Sequence, residues 1–104
     1  MVLFYLAMKI LAAFLFLFLI PSVVIADTYT GTVSGVKRFA RGGIAVNLDG
    51  EYPHQKMTLY VPENATAKVG ALPSPGVTIT ATGTITQYQS KPEIKIYSAS
   101  QWKW

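Results

Sequence analysis

The chain contains no cysteine, a single histidine and only two arginines. Each shortage removes a class of chemistry. Without a thiol there is no disulfide framework and no cysteine nucleophile to pair with histidine, so a small domain built from this chain must be held by packing and sheet closure alone. Arg38 and Arg41 lie together on one segment, which leaves almost nothing for a phosphoryl-transfer site that needs arginines on separated elements. Ser90, Ser98 and Ser100 have no positioned base. The expectation is a protein that is not an enzyme and carries no cofactor. Internal repeats and low-complexity stretches are also missing, which bounds the part after the N-terminus to one small domain.

What is abundant is apolar sequence at the front. Residues 10–20 read ILAAFLFLFLI without a polar side chain, and Pro21 and Ser22 then lead into Val24-Ile25-Ala26. A greasy core, a breaker and small residues before a cut form the layout of a secretory signal, so residues 1–26 are read as a signal peptide cleaved near Ala26. Lys9 is the only charge in that stretch. A start at Met8 would place it at the very front, where a signal carries its positive charge. An uncleaved membrane anchor is the rival reading, since a spanning helix needs only about 20 apolar residues. Cleavage predicts a periplasmic or secreted protein with no stable membrane span, and an intact Lys9 on the purified protein would refute it.

Residues 27–104 are polar and ordinary by comparison. They carry eight lysines and arginines against five acids, a net charge of +3. A mild basic excess permits binding to anionic polymers and is also common in proteins that bind none. Strand signals dominate. Residues 77–86 (VTITATGTIT) alternate, with Val77, Ile79, Ala81 and Ile85 on one face and threonines on the other. Gly83 falls in the apolar register, where a missing side chain permits a sharp bend or a close approach. Ile44, Val46 and Leu48 mark a second strand, and Met57, Leu59 and Val61 a third. A first strand over residues 29–39 loses its alternation after Val33, which predicts a bulged, coiled strand. A last strand over residues 93–97 should bury Ile94 and Ile96 and expose Glu93, Lys95 and Tyr97.

Residues 63–69 are the only helical candidate, at most two turns between Pro62 and Gly70. Three strands, a short helix and two strands is the plan of an all-β, five-stranded Greek-key barrel of the oligonucleotide/oligosaccharide-binding kind, the OB-fold. A small sandwich or an SH3-like barrel shares the strand count; a helix able to plug the barrel end favours the OB plan.

Residues 31–37 (GTVSGVK), 47–53 (NLDGEYP) and 83–101 (GTITQYQSKPEIKIYSASQ) resemble the single OB-fold domain of small exported bacterial proteins, also found beside secreted nucleases. That family shows an NL-G-YP turn, then Y-GKPEI and a final SPSQ, and the likeness spans most of residues 27–104. Here Ser90 stands in place of the glycine before Lys91-Pro92-Glu93-Ile94, and Ala99 in place of the proline before Ser100-Gln101. The first change should alter the last hairpin. By analogy of fold, the resemblance implies a monomeric module that binds single-stranded DNA or RNA or another anionic oligomer.

An OB barrel binds on the face of its second and third strands, between its first and last hairpin loops. The residues mapping there are Lys37, Arg38, Phe39 and Arg41, then Tyr52, His54, Lys56 and Tyr60, and finally Tyr88 and Lys91. Cations can follow phosphates while rings stack bases. The bland reading is that Tyr52-Pro53 is only a turn, Phe39 covers the barrel end and the lysines guard strand edges. Asp49, Glu51 and His54 lie within one turn, a loose hard-cation grouping with little specificity, so no metal is assigned. Trp102-Lys103-Trp104 is read as a cap on the barrel. Two further functions stay open: an envelope or stress protein binding a small molecule, cation or protein partner, and a secreted nuclease accessory.

Overall fold

The computed structural model describes residues 26–104. The signal read in residues 1–26 and the alternative start at Met8 fall outside them, Ala26 excepted. Among the described residues no helix is long and apolar enough to cross a membrane.

The longest strand, β1 (Asp27–Arg38), serves two neighbours. Residues 27–32 pair antiparallel with β4 (Thr78–Gly83), and residues beyond them pair antiparallel with β2 (Ile44–Leu48). The change of partner falls where the register slips between Val33 and Gly35. A bulge bends and twists a strand, which is how one strand can lie in two parts of a curled sheet. β3 (Met57–Val61) pairs antiparallel with β2 and parallel with β6 (Lys91–Lys95). β5 (Ile85–Tyr88) pairs antiparallel with β6, and β7 (Trp102–Lys103) with β4. The order is β5-β6-β3-β2-β1-β4-β7. The chain is predominantly β, its sheet curled into a half-barrel.

Among the described residues seven strands replace the expected five, for two reasons. The run over residues 77–86 is interrupted after Gly83, so that β4 and β5 pair with different neighbours. A Cβ on Gly83 would lie 2.6 Å from Ile94 Cγ2, so only glycine lets the end of β4 pass this close to β6. Ile85, expected on the inner face, is exposed beyond that bend. The seventh strand is the tail: Trp102 pairs with Ala81 and is only 5% exposed. Gln101 anchors it, accepting from the amides of Tyr97 and Ser98 and donating to the carbonyls of Thr82 and Lys95.

The expected helix over residues 63–69 is a 3-10 turn at Glu63–Ala65 followed by further turns. Ala65 and Lys68 donate three residues back, to Pro62 and Ala65. So short a segment cannot recover the cost of nucleating an α-helix; Ala65 and Val69 are buried all the same. Glu93 also departs from expectation. It is 7% exposed, flanked by Thr58 of β3 and Thr86 of β5 on the outer face.

Candidate ligand-binding groove

In β2, β3 and β6 alternate side chains enter the core, and the intervening ones form an outer face. Val46, Leu59 and Ile94 point inward. Outward, the register sets two rows across the strands. One row runs Asn47, Thr58, Glu93, Thr86; the other runs Lys37, Ala45, Tyr60, Lys95. Neighbouring strands lie about 4.8 Å apart, so each row is a continuous strip of side chains. The β1–β2 loop rises on one side and the β5–β6 hairpin on the other. Between them lies a groove of about 970 Å³.

Of the residues singled out from sequence, Lys37, Phe39, Arg41, Tyr52, Tyr60, Tyr88 and Lys91 line this groove. Arg38, His54 and Lys56 are exposed and lie outside its lining. Strand alternation separates Arg38 from Lys37, and Lys56 is close enough to Asp49 to favour that residue's charge. Lining residues without a distinctive sequence signal include Asn47, Gln55, Thr58, Glu63, Glu93 and Lys95. For Thr58 and Lys95 the alternation of β3 and β6 was a usable cue, since both lie out of the apolar register. Gln55 precedes β3 and had none.

The rings are placed by local chemistry. A Cβ on Gly43 would lie 2.6 Å from the Tyr60 hydroxyl, so glycine at the start of β2 makes room for that ring. Phe39 meets Tyr60 edge to face at 6.3 Å, and Lys37 Nζ sits 5.2 Å from the Phe39 centroid, within cation–π range. Tyr52 and Tyr88 stand out at the rim, 68% and 61% exposed. The Lys91 ammonium donates to the Pro53 carbonyl, tying the last hairpin to the turn that carries Tyr52. At the hairpin tip Gln89 and Ser90 both have positive φ, 49° and 65°. Two consecutive left-handed residues form the tight turn that hairpins favour, here made without glycine.

The floor is polar and incompletely bonded. Gln55 Nε2 donates to Thr58 Oγ1 at 3.0 Å, and Thr58 Oγ1 donates to Asn47 Oδ1 at 3.3 Å. Gln55 is 8% exposed and its Oε1 is buried with no hydrogen-bond partner. Burial pushes the Glu93 carboxyl above its ordinary value, opposed by the nearby Lys95 charge. Asp49, by contrast, is fully occupied: Oδ1 accepts from the Thr32 amide at 2.9 Å and Oδ2 from the Tyr29 hydroxyl at 2.6 Å. Those two bonds hold its carboxyl below the usual range, and the partnership pushes Tyr29 up to about 12. Asp49 therefore serves to tie this turn to β1, and among the described residues no group of three His, Cys, Asp or Glu side chains is gathered as a metal site would need.

No protein-family model matches the chain, and no curated protein matches it.

Proposed function

We propose that residues 27–104 form an exported, non-catalytic OB-fold module whose groove holds single-stranded nucleic acid or another anionic oligomer. The strand order supports the OB reading. β4 and β5 together occupy the place of one bent strand, β3 and β6 are parallel, and β1 is shared between β2 and β4. The turn at Glu63–Ala65 falls between β3 and β4, where the OB plan has its helix.

The observation that carries the function is the interleaving of cations and rings along one groove. Lys37, Arg41, Lys91 and Lys95 supply positive charge, with Phe39, Tyr52, Tyr60 and Tyr88 set among them. A chain of phosphates and planar bases needs that alternation, and a purely electrostatic surface would have no use for the rings. Stacking on such rings contributes on the order of 1–3 kcal/mol per base. Fluorescence anisotropy of the processed domain with short single-stranded DNA, RNA and acidic glycans tests the reading. Saturable binding to the oligonucleotides, weakened by Tyr60→Ala or Tyr88→Ala, is expected. Equal binding to every polyanion, indifferent to both substitutions, would remove the base-stacking role.

A further inference from the structure

We infer that the groove floor selects guanine, with the Glu93 carboxylate accepting the N1–H and N2–H donors of the base and the Lys95 ammonium meeting its O6. The inference rests on the nucleic-acid reading above and names the base that the site prefers.

Glu93 lies at the centre of the floor, between Thr58 of β3 and Thr86 of β5 in the cross-strand row. Ile94 beside it enters the core, so the Glu93 side chain points to the groove. Thr86 Oγ1 donates to the Glu93 backbone carbonyl rather than to its carboxylate. Burial disfavours its charge, and the neighbouring Lys95 ammonium opposes that effect. Gln55 Oε1 is a buried acceptor without a partner. Thr58 has committed its own proton to Asn47 and so needs the Gln55 amide donor, which turns Oε1 the other way. The floor therefore presents acceptors, the Glu93 carboxylate and the unpartnered Gln55 Oε1, inside a rim of cations.

Ligand phosphates cannot satisfy such a floor, since they only accept. The ligand groups that can donate to it are the base edges. Unstacked bases in single strands are read on their Watson–Crick edges. Guanine alone presents two adjacent N–H donors there, followed by an acceptor. Cytosine and adenine offer one amino donor beside a ring acceptor, and thymine one N–H between two acceptors. A carboxylate followed by an ammonium is the complement of the guanine edge. Glu93 and Lys95 are two apart on β6 and share its outer face, about 6.6 Å apart along the strand. Tyr60 pairs with Lys95 across the strands and supplies a ring beside them for the base to rest on.

The test compares oligothymidylates carrying a single central dG, dI, dA or dC, together with plain oligothymidylate, on the wild-type domain and on Glu93→Gln. One good bidentate contact is worth a factor of about ten in affinity. The dG probe should bind wild type about tenfold tighter than the dA and dC probes. Inosine, which lacks the 2-amino group, should lose most of that advantage. Glu93→Gln keeps the shape and should level the series while still binding plain oligothymidylate, a change in preference that general destabilisation would not produce. Binding of all probes without a dG advantage overturns the inference and leaves the nucleic-acid reading standing. A dG advantage that survives in Glu93→Gln overturns the role of Glu93, and absence of binding to any oligonucleotide overturns both.

Discussion

Asp49 shows how a side chain's role depends on contacts that sequence spacing hides. Beside Glu51 and His54 it looks like part of a cation turn, yet its partners are Tyr29 and Thr32, far back on β1. Its folded acidity is increased, so the stability it contributes is present above the ordinary carboxylate range and is lost as pH falls through the lowered folded value. Tyr29 works in the other sense: its contribution is intact below 10, its unfolded value, and disappears as pH rises to the folded value of about 12. Tyr29→Phe should cost about 1 kcal/mol at neutral pH, a charge-assisted bond discounted for partial exposure to water. Melting temperatures across pH check this. The gap between wild type and variant should be widest near neutrality and close toward both acid and strongly alkaline conditions; a constant gap would mean that the ring's packing, and not its hydroxyl, matters. Glu93 illustrates the same difficulty. Alternation with Ile94 put it on the outer face, but its burial arises between Thr58 and Thr86 of strands brought alongside, which alternation along one strand does not describe.

Strands were legible because a half-buried strand leaves a period of two, and β2 and β3 appear where Ile44, Val46, Leu48 and Met57, Leu59, Val61 place them. The coil of β1 was legible too, through the loss of alternation after Val33. Period alone could not show that residues 77–86 make two strands, since the pattern continues smoothly through the break. The relevant signal was Gly83, whose meaning depends on Ile94 arriving from another element. Replacing a strand glycine by alanine ordinarily gains about 0.5–1 kcal/mol. At Gly83 the new methyl would meet Ile94 at 2.6 Å, and the sign should reverse to a loss of about 1–3 kcal/mol. Gly35→Ala is the matched control, because nothing lies within 4 Å of a Cβ there. Urea midpoints should fall for Gly83→Ala and hold or rise for Gly35→Ala. A shared loss would trace the effect to backbone freedom and remove the steric account of the bend.

At the scale of the molecule the question is whether a modest net charge can act as a directed field. Residues 27–104 carry only +3, too little for strong attraction if it were spread evenly. It is not spread evenly: Lys37, Arg41, Lys91 and Lys95 share the groove, whereas Arg38, Lys56, Lys68 and Lys103 lie outside its lining. Curling the sheet is what gathers them, since they come from β1, the first loop and β6, and no run of basic sequence announces the cluster. Neutralising a phosphate on a single strand releases counterion with a slope of about 0.7 per contact, so with Lys95 committed to the base the other three cations predict that log affinity falls with log salt at a slope of about −2. Lys37→Gln and Arg41→Gln should each flatten that slope by about 0.7, while Lys68→Gln and Lys103→Gln should leave it unchanged. The two sets remove the same charge from the whole protein. Equal flattening by both would show attraction to a basic surface in general, whereas a difference between them locates the phosphates in the groove, beside the rings and the acceptors of its floor.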